Sequence, residues 1–299
     1  MKTVLVTGSR GFTGRYVVKV LRDRGYHVVG LVRENPGKDE ISCDLTDRIY
    51  VQHVIRDIRP DGIIHLAALA FVGEVEQLAF YSDNIFGTLN ILEALDSQGV
   101  SPDKVIIASS ANVYGNPGNV LIDESTPPAP VNHYAASKLA MEFMAKTWFA
   151  KLPIIITRPF NYTGPLQSKK FLVPKIVDHF QKSMPEIELG NLDVAREFSD
   201  VRDVADIYLK LLECPDHSSI VNICSGKVYP LNEIIERMNR IAGYSISVKQ
   251  NPAFMRTNEI KVLRGSNKKL HSMINFTPRF DLSTTLKDMY HGEESSLHA

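Results

Sequence analysis

The sequence has few cysteines, no excess of either charge and no long apolar segment. Cys43, Cys214 and Cys224 are its only cysteines, too few and too scattered for a disulfide framework or a zinc site. Lys plus Arg and Asp plus Glu number 34 each, whereas a nucleic-acid binder or a polybasic membrane-surface protein carries an excess of basic residues. The longest apolar stretch, residues 63–72, falls far short of the ~20 residues that cross a bilayer. These absences predict a cytoplasmic protein that binds neither nucleic acid nor membrane.

The first half of the chain alternates short β-branched segments with amphipathic segments of helical spacing. The predicted strands are residues 4–7, 27–32, 62–66, 105–108 and 154–157, and the predicted helices are residues 12–24, 48–58, 84–95 and 133–149. Because parallel strands need crossover connections, this order predicts an α/β fold with a Rossmann-type doubly wound parallel sheet.

The second half is less regular. Proline and glycine interrupt the pattern after Arg158, and the later predicted elements are a strand near 220–223 and helices near 201–212, 231–241 and 282–290. The 299 residues suit two modest domains. We expect a nucleotide-binding domain of residues 1–162, to which residues 197–226 return. We expect residues 163–196 and 227–299 to form a smaller, irregular α/β domain that binds the substrate.

Three glycines, Gly8, Gly11 and Gly14, lie between the first strand and the first helix. Glycine lets the backbone turn with positive φ and approach a ligand closely, and a helix N-terminus presents free N–H groups to an anion. This placement predicts a loop that binds the pyrophosphate of a dinucleotide.

Basic residues near this loop bear on which dinucleotide binds. Arg33 ends the second predicted strand and Arg10 lies in the glycine loop, so both could bind a 2′-phosphate. This pattern favours NADP. In the alternative, Arg33 is only solvated and Glu34 binds the ribose, as acidic residues do in NAD sites.

A candidate catalytic group follows in the middle of the chain. Tyr134 and Lys138 are four residues apart and share one face of a predicted helix. We expect the ammonium of Lys138 to lower the pKa of Tyr134 from about 10 and so suit it to acid–base catalysis. Ser109 and Ser110 emerge at the carboxyl end of a predicted strand, where open α/β sheets bind ligands; alternatively, they only satisfy backbone groups in a turn.

Together these motifs resemble the extended short-chain dehydrogenase/reductases, and the resemblance covers nearly the whole chain. It implies that Ser110, Tyr134 and Lys138 are catalytic, and that Asn84 kinks a helix and holds a water of the proton relay. It also implies NADP as cofactor, with NAD possible, and no metal. The cofactor-binding residues it implies are Gly8, Arg10, Gly11, Phe12, Thr13, Gly14, Arg33, Asp44, Leu45, Leu66, Ala67, Ala68, Tyr134 and Lys138.

Later segments are similar to the members of this superfamily that act on GDP-hexoses. The resemblance covers residues 190–203 and residues 256–270. It implies that the substrate is a GDP-linked 4-keto-6-deoxy sugar, with Asn161 and Arg196 at its diphosphate. Arg256 and Glu259 would hold the diphosphate and the guanosine ribose, and Asn191 is assigned to the same site.

The resemblance also narrows the reaction. The dehydratases of this group have a glutamate where this chain has Asn112, and the epimerase-reductases have a cysteine and a histidine where it has Ala111 and Leu166. What remains is a 4-ketoreductase, which would convert GDP-4-keto-6-deoxy-D-mannose into GDP-D-rhamnose.

Several alternatives stay open. Residues 69–71 and His133 depart from the relatives' pattern near the sugar, so the product could have the opposite C4 configuration, GDP-6-deoxy-D-talose. An NAD-retaining nucleotide-sugar 4-epimerase would use the same catalytic set. A non-catalytic member is a third class, but such proteins usually lack the tyrosine or the lysine. By analogy with the family we expect a homodimer formed through the helices that start near Asn84 and His133.

Overall fold

The computed structural model describes residues 1–69, 77–118, 120–255 and 261–292. Its strands are β1 Thr3–Thr7, β2 His27–Val32, β3 Glu40–Ser42, β4 Gly62–His65, β5 Lys104–Ala108, β6 Ile154–Pro159, β7 Tyr162–Thr163, β8 Glu186–Leu189, β9 Ala195–Glu197, β10 Ser199–Asp200, β11 Ser219–Ile223, β12 Val228–Pro230, β13 Ser247–Gln250 and β14 Val262–Leu263. Its α-helices are α1 Phe12–Asp23, α2 Arg48–Ile58, α3 Gln77–Tyr81, α4 Gly87–Ser97, α5 His133–Lys146, α6 Leu172–Gln181, α7 Val201–Glu213, α8 Leu231–Ala242, α9 Lys268–Ile274 and α10 Leu282–His291.

Seven parallel strands form the main sheet, in the order β11-β6-β5-β4-β1-β2-β3. Neighbouring residues of these strands face opposite sides, as in β1, where Leu5 packs on one face and Val6 on the other. Helices α2, α4 and α5 cover the Leu5 face, and α1 and α7 cover the Val6 face. Because both faces are buried, the strands read as continuous apolar runs. The predicted Rossmann-type sheet is confirmed.

A second layer of helices forms around a separate apolar cluster. Ile176 and Phe180 of α6 pack with Ile234 of α8 and Leu286 of α10. Helix α6 is not predicted from the sequence, because Pro174 interrupts the helical pattern there. Pro174 is the third residue of α6. Backbone N–H groups in the first turn of a helix have no partner within the helix, so a proline, which lacks this group, is tolerated there.

The chain passes between the two layers more than once. Strand β11 pairs with β6 in the main sheet. Leu270 of α9 and Phe276 also pack in the cluster on the α1–α7 face of that sheet, although they lie in the segment expected to form the second domain. The division into two domains therefore stays a prediction.

Candidate active site

In the glycine loop between β1 and α1 the backbone segments lie so close together that side chains larger than hydrogen do not fit. Gly8 has a φ of +67°, and a Cβ on Gly14 would lie 2.1 Å from the carbonyl oxygen of Gly8. Gly11 is the N-cap of α1, so the N–H groups of the first helical turn are available to a ligand. An anion can therefore approach the helix N-terminus closely, and the loop fits the pyrophosphate of a dinucleotide.

Two adjoining cavities lie beside this loop. Both are lined by Gly8 and Gly11 of the loop and by Ala68, which follows β4. We name them the Arg33 cavity, of about 300 Å³, and the Tyr134 cavity, of about 350 Å³. Together they are lined by all the predicted cofactor-binding residues. The Arg33 cavity is lined by Gly8, Arg10, Gly11, Arg33, Asp44, Leu45, Ala67 and Ala68, and the Tyr134 cavity by Gly8, Gly11, Phe12, Thr13, Gly14, Leu66, Ala68, Tyr134 and Lys138.

Both arginines of the Arg33 cavity are paired with carboxylates. Arg33 forms an ion pair with Asp83. Arg10 donates from Nε and Nη2 to the two carboxylate oxygens of Glu40, at 3.1 and 2.5 Å. Neither acidic partner was predicted, because they lie 50 and 30 residues from their arginines. Glu40 begins the short strand β3, for which the sequence has no periodic signal.

Asp44 lies in a turn at the mouth of the same cavity. It accepts hydrogen bonds from the backbone N–H and the hydroxyl of Thr46, and these bonds lower the pKa of Asp44. The carbonyl of the adjacent Leu45 accepts a hydrogen bond of 2.8 Å from the Asn90 side chain. Asp44 is therefore held ionised and in place, as a group that binds an adenine or ribose donor needs to be.

Ser110, Tyr134 and Lys138 come together in the Tyr134 cavity. Ser110 caps a 3₁₀ turn, Ala111–Tyr114, and its Oγ accepts a hydrogen bond of 3.2 Å from the N–H of Asn112. The hydroxyl of Tyr134 lies near that of Ser110, and the interaction with Ser110 lowers the pKa of Tyr134 against the effect of burial. Lys138 Nζ donates to the carbonyl oxygen of Ala108 at 2.8 Å, which fixes the ammonium at the end of β5.

The titration of these groups differs from the expectation. Burial raises the pKa of Tyr134 to about 12, and the interaction with Ser110 opposes this rise only in part. Burial also lowers the pKa of Lys138 to about 8. The prediction that Lys138 lowers the pKa of Tyr134 is wrong for this structure, because desolvation dominates. At neutral pH Tyr134 is a protonated phenol, which can donate a proton.

Asn84 lies in a π-helical turn, Ser82–Phe86, between α3 and α4. The extra residue of a π-turn displaces the backbone locally. The side chain of Asn84 is buried; it donates to Ser137 Oγ at 3.0 Å and accepts from the N–H of Leu69 at 3.2 Å. Asn84 thus connects α5 to the segment after β4, while its role in a proton relay stays a prediction.

A buried ion pair behind the catalytic residues was not foreseen. Glu142 accepts hydrogen bonds from Arg158 Nε and Nη2 at 2.9 and 2.6 Å, and both side chains are almost fully buried. Glu142 also accepts a hydrogen bond of 2.5 Å from Ser109. Its position, four residues after Lys138 on one helix face, was the signal available in the sequence.

The predicted substrate-binding residues are only partly brought together. Asn161 lines the Tyr134 cavity. Arg196 lies on β9, which pairs with β14, and Leu263 of β14 also lines that cavity. The Nη1 group of Arg196 donates to the carbonyls of Ala195 and Lys261. Asn191 lies in the loop before β9. Two further predicted residues lie outside the described residues: Arg256 and Glu259.

The part of the chain that the structure describes has neither a candidate metal site nor a candidate membrane span. There, no three His, Cys, Asp or Glu side chains are grouped so that they could hold a metal ion. In the same residues no helix has both the length and the apolar character needed to cross a membrane. The three cysteines are free thiols.

Comparison with known proteins places the chain in a family. The model of the family described as GDP-mannose 4,6 dehydratase matches residues 5–289. The chain belongs to this family of extended short-chain dehydrogenase/reductases. Members of the family are NAD(P)-dependent enzymes that act on nucleotide sugars, so the predicted enzyme class is confirmed.

Two curated relatives are similar over almost their whole length. The chain is 36% identical to a GDP-6-deoxy-D-talose 4-dehydrogenase of Aggregatibacter actinomycetemcomitans, covering 96% of each chain. It is 34% identical to a GDP-6-deoxy-D-mannose reductase of Pseudomonas aeruginosa, covering 98% of this chain and 97% of the relative. The names of these two family members place the sugar C4 centre in opposite configurations.

Solved structures of the family show the same fold. A candidate epimerase of Burkholderia cenocepacia is 44% identical, with a TM-score of 0.91 and 97% of each chain covered. RMD of Pseudomonas aeruginosa, solved with NADPH, is 29% identical, with a TM-score of 0.86 over 99% of this chain and all of the other. A UDP-glucose 4-epimerase of Thermus thermophilus, solved with NAD, is 28% identical with the same TM-score, over 97% and 99%. Because these similar structures hold NADPH or NAD, the predicted cofactor, NADP with NAD possible, is confirmed.

Proposed function

We propose that this protein reduces the C4 ketone of GDP-4-keto-6-deoxy-D-mannose with NADPH and forms GDP-D-rhamnose. One observation carries the proposal. Among the described residues that line the Tyr134 cavity there is no carboxylate, histidine or cysteine. Asn112 and Ala111 lie in the cavity at the positions where a dehydratase base or an epimerase cysteine was sought. Reduction of a ketone needs only a hydride and a proton donor, which the remaining groups can serve.

Tyr134 is the proposed proton donor. Its pKa of about 12 keeps the phenol protonated at neutral pH, and a developing C4 alkoxide is basic enough to take that proton. Ser110, which lines the same cavity, would donate a hydrogen bond to the alkoxide oxygen and stabilise its growing charge. Lys138, fixed on the Ala108 carbonyl, provides positive charge beside the site. Asn84 would hold a water through which the phenol is reprotonated.

The residues present fit the cofactor. The Gly8–Gly14 contacts and the α1 N-terminus would hold the pyrophosphate, and Arg33 would contact the 2′-phosphate. When bound, NADPH supplies the hydride for C4. We also propose that the two parts of the fold bind different ligands: the main sheet binds the dinucleotide, and the second layer of helices binds the GDP moiety.

The GDP moiety is assigned to residues at the other side of the cavity. Asn161 and Arg196 suit the diphosphate, because an amide and a guanidinium both donate hydrogen bonds to phosphate oxygens. Asn191 and, by sequence resemblance, Arg256 and Glu259 complete the proposed set. Their contributions are testable by the Michaelis constant for the sugar nucleotide.

A second product is favoured by one specific observation. The relative that is 36% identical is named for GDP-6-deoxy-D-talose. That product has the opposite C4 configuration and would arise from the same substrate and the same catalytic residues if the sugar ring were bound in the other orientation.

The test is to incubate the protein with GDP-4-keto-6-deoxy-D-mannose and NADPH and to read the C4 configuration of the product by NMR. We expect one NADPH to be oxidised per sugar reduced, and GDP-D-rhamnose as product. GDP-6-deoxy-D-talose would select the second candidate. Interconversion of C4 epimers without net NADPH oxidation would overturn the reductase proposal.

A variant tests the assigned chemistry. Tyr134→Phe removes the proton donor but keeps the ring, so kcat should fall at least ~100-fold. The matched control is Tyr50→Phe, because Tyr50 is 41% exposed and lies on α2, away from both cavities. A Tyr134→Phe protein with full turnover would contradict the role of Tyr134.

A further inference from the structure

The two arginines of the Arg33 cavity differ in how they are held, and the difference bears on cofactor preference. This inference rests on the proposed use of NADPH. We propose that Asp83 sets the preference between NADPH and NADH, because its carboxylate competes with the 2′-phosphate for Arg33. Arg10, in contrast, holds the loop after β2, residues 34–40, in place through hydrogen bonds.

Arg10 is committed to that loop. It donates to both oxygens of Glu40, its Nη2 also donates to the carbonyl of Asn35 at 2.7 Å, and its Nη1 lies 3.5 Å from the carbonyl of Glu34. Glu40 in turn accepts a hydrogen bond of 2.7 Å from the N–H of Gly37. Most of the donors of Arg10 are therefore used in shaping residues 34–40, and a phosphate would have to break this arrangement to engage it fully.

Arg33 is held much less tightly. Its side chain is 69% exposed, and a single nitrogen, Nη2, bonds to Asp83. An exposed ion pair of this kind contributes little stability, so the guanidinium can turn towards a ligand at small cost. A guanidinium binds a phosphate through two parallel hydrogen bonds, which are stronger than one contact to a carboxylate.

Asp83 lies where it can oppose that exchange. It lines the Arg33 cavity with Asp44 and Glu34, and its own side chain is only 20% exposed. A 2′-phosphate carrying up to two negative charges would replace Asp83 on Arg33 and then lie near its carboxylate, where like charges repel. NADH has no 2′-phosphate and leaves the Arg33–Asp83 pair intact. Asp83 therefore disfavours NADPH relative to NADH.

The experiment is direct binding of NADPH and of NADH, measured by calorimetry without any sugar. For Asp83→Asn we expect NADPH to bind about threefold more tightly, with NADH unchanged. For Arg33→Ala we expect NADPH to bind about tenfold more weakly, again with NADH unchanged. In the Arg33→Ala background, Asp83→Asn should favour NADPH less than it does in the wild type, because the competition for Arg33 is gone and only the direct repulsion by Asp83 remains.

Three further variants separate charge from structure. Asp83→Glu keeps the carboxylate and should keep the wild-type preference. Asp96→Asn is the matched control: Asp96, on α4, forms an exposed ion pair with Lys151 and lines neither cavity, so the substitution should change neither affinity. Glu40→Gln should weaken both cofactors alike, because it loosens the loop that Arg10 braces.

The outcomes distinguish this inference from the proposed function. If Arg33→Ala weakens NADPH and NADH equally, Arg33 is not the 2′-phosphate contact and the NADP assignment fails. If Arg33→Ala is selective but Asp83→Asn leaves the ratio of affinities unchanged, the competition by Asp83 is overturned while the NADP assignment stands. An equal change of the ratio in Asp83→Glu and Asp83→Asn would assign the effect to the π-turn and also overturn the inference.

Discussion

At the scale of single residues, Glu142 has the most consequence for the proposed chemistry. Burial lowers the pKa of Lys138 to about 8, and the negative charge of Glu142 raises that pKa against the effect of burial. Glu142 is itself paired with Arg158 and bonded to Ser109. We infer that Glu142 is a positioning residue that keeps Lys138 protonated near neutral pH.

Glu142→Gln should therefore change the pH profile. Without the carboxylate charge the pKa of Lys138 falls further, so the ammonium is lost at a lower pH and the basic limb of kcat moves to lower pH. We expect turnover to fall about fivefold at pH 8 and to stay near wild type at pH 6.5. The measurement is kcat between pH 6 and pH 9.

A purely structural effect is distinguishable. Leaving Arg158 buried without a counter-charge should lower the free energy of unfolding by ~3 kcal/mol, measurable by denaturant titration. The control is Glu93→Gln, which removes the partner of Arg48 in a surface pair and should change neither property. A uniform loss of kcat at every pH would show that Glu142 does not act through the charge of Lys138.

These residues mark the limit of what the sequence could predict. Ser110, Tyr134 and Lys138 were singled out because their spacing within helix and strand is itself the signal, and the structure brings them together. Asp83 and Glu40 pair with arginines 50 and 30 residues away. Such pairs depend on which turns the tertiary structure places side by side, and no local pattern records that.

At the scale of elements, the contacts of the glycine loop predict that alanine substitutions weaken cofactor binding to different degrees. A Cβ on Gly14 would lie 2.1 Å from the Gly8 oxygen and 2.8 Å from the Cα of Ser9, whereas a Cβ on Gly11 would lie 3.0 Å from the same oxygen. The first contact is with rigid backbone and cannot be relieved by a side-chain movement. Gly14→Ala should weaken NADPH binding at least ~100-fold, and Gly11→Ala about tenfold or less.

Calorimetric binding of NADPH checks this order, with unfolding curves to exclude global unfolding. Gly25→Ala is not a suitable control, since Gly25 has a φ of +92° and alanine would be strained there. Gly62→Ala suits better: Gly62 begins β4, lines neither cavity, and its Cβ would first meet the end of the flexible Leu212 side chain, at 2.9 Å. Equal losses in Gly14→Ala and Gly11→Ala would contradict the role assigned to the close contact of Gly14 with Gly8.

The main-sheet strands and helices of the first half were predictable, because continuous apolar strands alternate with amphipathic helices there. The missed features are those in which tertiary contacts override local signals. Helix α6 tolerates Pro174 in its first turn, and the predicted helix of residues 84–95 is in fact the π-turn Ser82–Phe86 followed by α4. A π-turn differs from an α-helix in its backbone hydrogen bonds, which span one more residue, and the apolar spacing of the sequence does not reveal that difference.

At the scale of the whole molecule, one surface exposes several large apolar side chains. Helices α3 and α5 and the π-turn contact one another, and they expose Leu78 at 71%, Phe86 at 55% and Phe143 at 58%. Exposed apolar side chains on neighbouring elements are typical of an interface. We therefore predict that two copies of the chain associate through these helices, giving a particle of about twice 33.5 kDa.

Phe143→Lys tests this association without touching the cavities. A charge introduced into a symmetric interface occurs on both copies and would have to be desolvated there, so the variant should sediment as a monomer. Phe254→Lys is the matched control, because Phe254 is 51% exposed but lies in the second layer; it should leave the mass unchanged.

The melting temperature of the wild type should rise with protein concentration, as it does when folding is coupled to association, and that of Phe143→Lys should not. A wild-type protein that sediments as a monomer at micromolar concentration would refute the dimer and leave these side chains as ordinary surface residues.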